Sequence, residues 1–361
     1  MTKTIRVLVS THPFAKADPR AAELIMNEGW ELEFNPYGRK ITIPELKVLL
    51  PEVDALIAGT EQLDANALEY ADDLKLISRV GIGLDGIDWD EIKKRGIEVS
   101  YTPDAVTLSV AELTLGFMLS LARDVVTTNR KMHNKIWSRY IGKELSQMTI
   151  GIIGLGRVGK AIARLLKSFG CKILVNDIVP DHAFIQRQGL KLVDKEEIYR
   201  CSDVVTLHVP LTKLTRYLVD EEVFRCMKCN AFLINTSRGP VVKEDALYNA
   251  ITHNQVKGAA IDVYSDEPYR GNLCELDRVI LTCHMGSCTE ESRKAMEIGA
   301  AQAVVDFFKG NTMKNSILNV DNGIHKEKRR GMAIESTEAH ASKQKNRNDL
   351  DELSIAQGLV L

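Results

Sequence analysis

Three residues in the second half of the chain have the chemistry of an acid/base site: the guanidinium of Arg238, the carboxylate of Glu267 and the imidazole of His284. Each follows an apolar run, at 232–235, 259–263 and 279–281, with the length and composition of a buried strand. As successive parallel strands, the three runs would deliver all three groups to one carboxyl-terminal sheet edge, where open α/β sheets bind ligands. Such a set suits an anionic substrate that must gain or lose a proton. The imidazole is the acid or base, the carboxylate fixes its tautomer and steadies its protonated form, and the guanidinium grips the anion. Singly, each residue has a plainer role: a turn arginine beside Gly239, a loop carboxylate before Pro268, a satisfied core histidine. Their joint placement carries the argument.

Upstream, Gly154-Leu155-Gly156-Arg157-Val158-Gly159 stands between a strand-like run, 149–153, and a helix-like run, 160–169. In that context the glycines have separate tasks. Gly154 permits a tight turn, Gly156 lets backbone approach a pyrophosphate, and Gly159 allows the helix to pack on the strand while its amino terminus holds the anion. Arg157 adds positive charge there. The next strand-like run, 172–176, ends at Asp177, placed to accept hydrogen bonds from the adenosine ribose. Ile178, Val179 and Pro180 follow with no cation for a 2'-phosphate, so the expected cofactor is NAD rather than NADP. Hydride transfer between NAD and a 2-hydroxy acid would use all these parts. His208, just before Pro210 at another strand end, either touches the cofactor or is a core histidine.

These groups need a scaffold, and the chain has the material for two domains: 361 residues, 45% hydrophobic and 27% charged. Strand-like runs at 5–10, 55–58 and 76–80 alternate with helix-like runs at 21–28, 66–70 and 89–95, which predicts a first parallel unit ending near residue 100. A long helix is expected at 108–129. A second series of strands then begins at Ile150, Lys172, Leu192, Val204, Phe232, Ala259 and Val279. Apolar residues Ala295, Ile298, Ala301, Val305 and Phe308 predict a helix over 290–309, followed by a short strand at 316–320, both returning to the first unit. The fold class is α/β, with two doubly wound parallel-sheet domains of Rossmann or flavodoxin type. The first is discontinuous (1–101 and 294–320, substrate binding), the second spans 102–293 (NAD binding), and 321–361 reads as a disordered tail.

A formal net charge of −2 gives no reason to expect nucleic acid or a membrane surface as partner. Seven cysteines, an odd number, fit a reducing compartment, and residues 1–20 lack a leader's apolar core, so a cytoplasmic location is expected. Cys226 and Cys229 have a metal-like spacing without a second pair, and no metal is expected.

Together the motifs resemble the D-isomer-specific 2-hydroxyacid dehydrogenase family from about residue 76 to 320. The matching stretches are Val80-Gly81-Ile82-Gly83-Leu84-Asp85, Ser109-Val110-Ala111-Glu112-Leu113, the glycine loop, and residues 203–210 ending in His208-Val209-Pro210. Further ones are Asn235-Thr236-Ser237-Arg238-Gly239, Ala260-Ile261-Asp262-Val263 through Glu267-Pro268, and His284-Met285-Gly286. The resemblance implies that Arg238, Glu267 and His284 are catalytic and that Asp262 contacts the nicotinamide carboxamide. It implies that Thr236 and Pro210 line the cofactor cleft, with Ser237 and Gly286 in the same motifs, and that backbone amides at Ile82 and Gly83 bind the substrate carboxylate. It also implies a homodimer or larger assembly.

Residues 78–88, Trp137 and Gly142-Lys143-Glu144-Leu145 look most like the phosphoglycerate dehydrogenase branch. Some members of that branch carry an arginine after the strand that here is 55–58, whereas this chain continues Gly59-Thr60-Glu61. Arg79, Arg39 and Lys40 are the substitutes available to hold a phosphate, each also readable as a solvated surface charge. The expected substrate is therefore 3-phosphoglycerate, with glyoxylate, hydroxypyruvate or lactate chemistry, or an NAD(H)-sensing corepressor role, as alternatives. The chain is too short for the appended regulatory domain of longer members, so serine feedback through such a domain is not expected.

Overall fold

A computed structural model describes residues 4–16 and 18–317. Contacts divide the chain into a unit running to Lys314 and a second beginning at Asn315. The strand expected at 316–320 and the tail expected at 321–361 lie outside the described residues, apart from Ser316 and Ile317.

The first unit contains two parallel sheets. In the first sheet, β1 (Arg6–Val9), β2 (Glu31–Phe34), β3 (Ala55–Ala58), β4 (Leu76–Arg79) and β5 (Glu98–Ser100) lie in the order β2-β1-β3-β4-β5. Between these strands run α1 (Arg20–Met26), α2 (Ile43–Leu49) and α3 (Trp89–Arg95). The crossover from β1 goes to β2 on one side, whereas β3 starts the sheet's other half, so the strand order reverses between β1 and β3. Strands β3 and β4 are buried throughout, as apolar runs covered on both faces must be.

Helices α4 (Thr107–Arg123) and α5 (Val125–His133) lead to the second sheet. Its strands are β6 (Thr149–Ile153), β7 (Lys172–Asn176), β8 (Lys191–Leu192), β9 (Val204–Leu207), β10 (Phe232–Asn235), β11 (Gly258–Ile261) and β12 (Val279–Leu281), in the order β12-β11-β10-β9-β6-β7-β8. This order reverses between β6 and β9. Helices α6 (Arg157–Lys167), α7 (His182–Gln188), α8 (Lys195–Cys201), α9 (Glu221–Cys226) and α10 (Glu244–Thr252) cover it. The buried face of α6 is small at its start, with Gly159, Ala161 and Ala163, and broadens at Ile162 and Leu166; α4 packs across it. Helix α11 (Glu290–Phe308) then lies against α1, β3 and β4, and Ser78 of β4 donates a 2.9 Å hydrogen bond to the carbonyl of Ala300.

The two parallel sheets expected from the alternation of strands and helices are present. Several local expectations fail. The helix expected over 108–129 is interrupted at Asp124, whose left-handed backbone (φ 52°) ends α4 and redirects the chain into α5. Residues 66–70 form turns rather than a helix. Strand β2, at the sheet edge with mostly exposed side chains, and helix α2 were not anticipated, because neither buries a continuous apolar run.

Leu233 is fully buried in β10, the strand that leads to Arg238. Truncating it leaves a cavity among fixed neighbours, so Leu233→Ala should lower unfolding free energy by about 2–5 kcal/mol. An unchanged urea midpoint would mean that this strand is not the rigid support described.

Candidate active site

Strands β10, β11 and β12 are neighbours in register, Asn235 pairing with Ile261 and Ile261 with Leu281. Their following loops therefore emerge side by side, and Arg238, Glu267 and His284 stand on three consecutive ones.

The first loop is pinned by Asn235. Its side-chain amide donates to the carbonyl of Arg238 (2.9 Å), and its Oδ1 accepts from the amide (3.1 Å) and hydroxyl (2.8 Å) of Ser237. A side chain at Gly239 would run into the backbone of Tyr264 and Ser265, so glycine lets the first and second loops touch. Arg238 donates through Nη1 to the carbonyl of Ser237 and through Nε to Asp85 Oδ1, both at 2.7 Å. Its Nη2 lies against Gly83, where any Cβ would strike it. Burial alone would raise the Asp85 carboxyl, but the charge and hydrogen bond of Arg238 outweigh it and hold it below the ordinary range.

The third loop is held by a carboxylate. Asp262 is 1% exposed; its Oδ1 accepts from Thr282 Oγ1 (2.5 Å) and the amide of Met285 (2.8 Å), and its Oδ2 from the amide of Gly286 (2.9 Å). Between these anchors His284 takes a left-handed backbone, φ 53°, which non-glycine residues rarely adopt without outside constraint. The turn aims Nδ1 at Glu267, 2.9 Å from Oε2 and 3.1 Å from Oε1. Glu267 Oε1 also accepts from the amide of Tyr264 at 3.1 Å. Burial tends to raise the Glu267 carboxyl, yet the His284 hydrogen bond and charge prevail and keep it below its usual value. With Nδ1 committed to an ionised carboxylate, Nε2 is the atom left for proton exchange, and the ring is partly exposed.

Across from these loops runs the segment after β4. No acceptor among the described residues engages the amide N–H groups of Ile82 and Gly83, which leaves two donors for an anion. Arg79 is not the surface charge its sequence position allowed. It is 4% exposed beneath this segment, donating Nε to the carbonyl of Gly83 (3.3 Å) and Nη1 to that of Glu61 (3.2 Å). It shapes the loop whose amides are free.

The glycine loop divides by function. Gly154 has φ 96°, and a Cβ there would strike the carbonyl of His208; one at Gly159 would strike the carbonyl of Gly154. A Cβ at Gly156 would meet nothing within 4 Å, so the protein's own packing does not demand glycine there. Close approach of a ligand does, and α6 begins at Gly156 with no side-chain cap, leaving its first amides for an anion. Asp177, beyond β7, accepts from the amides of Leu155 (2.5 Å) and Val179 (2.9 Å), bracing the loop from the edge where a ribose would lie. These residues fit a dinucleotide.

Other expected contacts are partly committed elsewhere. Arg157 pairs with Asp104 at 3.0 Å. Val158 is half-buried against the core under α6. His208 Nε2 lies 2.7 Å from Thr206 Oγ1, and burial pushes its imidazole down to about 3, so it is neutral at physiological pH. Thr236 Oγ1 meets Thr114 Oγ1 of α4 at 3.1 Å. Ser237 turns inward to Asn235, whereas Pro210 is exposed at the end of β9. Gly286, whose Cβ would crowd Asp262 and Val110, keeps the histidine loop close to α4. Asp262 already receives three donors, so its main visible task is to hold this loop. The sequence held no sign of that task, nor of the contact between Asp85 and Arg238, because both depend on folding. Among the described residues no group of three or more His, Cys, Asp or Glu side chains could hold a metal ion.

Comparison with known proteins places these features in a family context. Residues 115–286 match the family model for "D-isomer specific 2-hydroxyacid dehydrogenase, NAD binding domain". The chain is 37% identical over 277 residues to a glyoxylate reductase of Thermococcus litoralis, covering 74% of this chain and 84% of that protein. It is 37% identical over 288 residues to a D-3-phosphoglycerate dehydrogenase of Methanocaldococcus jannaschii, but this match spans 78% of the chain and only 55% of the relative's length. Among solved structures, D-lactate dehydrogenase of Aquifex aeolicus complexed with NAD and lactic acid superposes with a TM-score of 0.75 at 29% identity, covering 85% of this chain and 96% of that one.

The glycine roles can be separated by experiment. Gly156→Ala should fold with an unchanged melting temperature while weakening NAD binding at least tenfold, whereas Gly159→Ala should lower the melting temperature by several degrees. Calorimetric titration and thermal denaturation check both, and equal effects of the two variants would contradict the division.

Proposed function

The chain belongs to the D-isomer specific 2-hydroxyacid dehydrogenase family, and we propose that it transfers a hydride between NAD and a short, unphosphorylated D-2-hydroxy acid or its 2-oxo counterpart. The observation that carries this reading is the 2.9 Å pairing of His284 Nδ1 with Glu267, on the loop next to Arg238 and across from the free amides of Ile82 and Gly83.

In the reducing direction, Arg238 and those two amides bind the substrate carboxylate. Bound NADH supplies the hydride. As negative charge grows on the carbonyl oxygen, Arg238 stabilises it and His284 Nε2 delivers the proton. Glu267, kept ionised at neutral pH by its lowered affinity for protons, steadies the imidazolium beforehand. In oxidation the neutral ring takes the hydroxyl proton by the same atom.

The preference for an unphosphorylated substrate is supported by the charges near the first sheet. After β3 the chain continues Gly59-Thr60-Glu61 with no arginine to serve a phosphate, Arg79 is engaged with backbone carbonyls, and Arg39 forks onto Glu45 at 2.6 and 3.0 Å. 3-Phosphoglycerate is the second reading, supported by the motifs after β4 and by Lys40, close enough to Glu267 to contribute to its lowered carboxyl. Steady-state kcat/KM for glyoxylate and hydroxypyruvate should exceed that for 3-phosphohydroxypyruvate at least tenfold. The reverse order would favour the second reading, and no turnover with any of them would remove the dehydrogenase assignment.

A homodimer is part of this reading, supported by the apolar exposure of Val125, Val126, Ile136, Trp137 and Ile141 along and after α5. Sedimentation at the mass of a single chain would refute it. Among the described residues no helix is long and apolar enough to cross a membrane.

Glu267→Gln removes the carboxylate that fixes Nδ1 of His284, so kcat for keto-acid reduction should fall at least tenfold while NADH binding stays unchanged. An unchanged kcat would show that the pairing has no part in proton transfer.

A further inference from the structure

A cavity of about 480 Å³ opens between two loops that meet beside the candidate active site. One wall is the segment 84–89, after β4, and the other is 211–216, after β9. None of the residues assigned above to substrate or cofactor lies in these walls. Both walls are held by hydrogen bonds of their own. In the first, the amide of Leu63 donates to the carbonyl of Gly86 (2.7 Å), its carbonyl accepts from the amide of Asp88 (3.1 Å), and the amide of Ile87 donates to the carbonyl of Leu84 (3.1 Å). In the second, the Thr215 hydroxyl donates to the carbonyl of Pro210 (2.6 Å) and accepts from the amide of Thr212 (2.8 Å), while the amide of Arg216 closes the turn on the carbonyl of Thr212 (3.0 Å). The amide of Tyr217 donates to the carbonyl of Pro240 at 2.8 Å, which ties this turn to the loop carrying Arg238. The opening is therefore set by the fold, and its volume is that of a small-molecule site.

The lining says what such a site would hold. Leu84, Ile87, Trp89 and Leu211 give it an apolar floor, and its charged groups are Lys213, Arg216 and Asp85. Neither cation reaches a carboxylate among the described residues; Arg216 lies over the ring of Tyr217, 5.6 Å from its centre, which leaves its N–H groups without an acceptor. Asp85 is already balanced, because Arg238 donates to it at 2.7 Å and the buried Arg79 adds a second favourable charge. The cavity is thus net positive and attracts an anion. A strongly hydrated anion such as phosphate would give up water to face four apolar side chains. A small organic acid satisfies both parts of the lining, with its carboxylate on Lys213 and Arg216 and its hydrocarbon against Trp89 and the leucines.

We propose that this cavity is a second ligand site, which takes a small organic carboxylate with an apolar body and is separate from the site that binds the reacting acid. The two sites are neighbours through Asp85, which lines the one and restrains the arginine of the other. The inference goes beyond the dehydrogenase reading and does not depend on turnover.

Benzoate, a carboxylate on a flat apolar ring, is the probe. Titrated into the full chain, it should change tryptophan fluorescence saturably, with Kd in the low millimolar range or below. Trp89→Phe should lose most of that signal while calorimetry still detects binding. Replacing both cations, Lys213→Ala with Arg216→Ala, should weaken binding about tenfold or more, whereas Arg238→Gln, which takes the charge from the reacting site, should change it less than about threefold. Benzyl alcohol, with the ring and no charge, and inorganic phosphate, with charge and no ring, should each bind about tenfold more weakly than benzoate, or worse. Undiminished binding by the double variant, whatever Arg238→Gln does, would overturn the assignment, as would the absence of saturation in the unmodified protein. Equal affinity for benzyl alcohol or phosphate would overturn the ligand class. Both cations are exposed, and thermal denaturation checks that their replacement leaves the fold intact. Added sodium chloride gives a second measurement on the unmodified protein: it should weaken benzoate binding, and an affinity indifferent to salt would also overturn the proposal. None of these readouts needs catalysis, so their failure is distinct from a failure of the dehydrogenase reading.

Discussion

The carboxylate of Asp262 is the group on which the geometry of the site turns. Burying an ionised carboxylate costs several kcal/mol unless hydrogen bonds replace its hydration. Here a threonine hydroxyl and two backbone amides do so, and all three donors come from the segment that includes His284. The segment cannot relax without stripping the charge of its partners. That constraint explains how His284 remains in a left-handed conformation, and the conformation in turn directs one ring nitrogen at Glu267 and leaves the other for substrate.

The pair formed by Arg238 and Asp85 plays the opposite part. It joins the loop after β10 to the loop after β4 across the cleft, with side chains 23% and 40% exposed. Exposed ion pairs contribute about 1 kcal/mol or less, so this contact orders the guanidinium without locking it. On the proposed reading a substrate carboxylate, offering two oxygens to the guanidinium fork and bonding to the free amides of Ile82 and Gly83 as well, would compete well against a single Nε contact. Rigid support for the imidazole and loose restraint of the guanidinium suit an enzyme that must admit an anion before it moves a proton.

Much of this was legible in one dimension. Buried parallel strands are short, continuous apolar runs, so 232–235, 259–263 and 279–281 stood out, and polar groups just beyond them had to share an edge. The glycine loop was legible because strand, loop and helix follow in order, and NAD was expected from Asp177. What could not be read was whatever depends on folding: the burial of Arg79 and the turn of Asp262 toward the histidine loop. Strand β2 escaped because an edge strand need not be apolar, and the break at Asp124 because left-handed aspartates leave no periodic signature. Domain boundaries at 101/102 and 293/294 remain a proposal, supported by α11 lying on the first sheet.

The account's central claim is that the ring of His284 moves the proton. Single-turnover oxidation of bound NADH by glyoxylate, followed in His284→Ala with and without added imidazole, tests it most directly. The account predicts a chemical step slowed by about 10²–10⁴, with normal NADH binding and partial rescue by imidazole that grows as the added base is protonated. A chemical step at the unmodified rate in His284→Ala would contradict it.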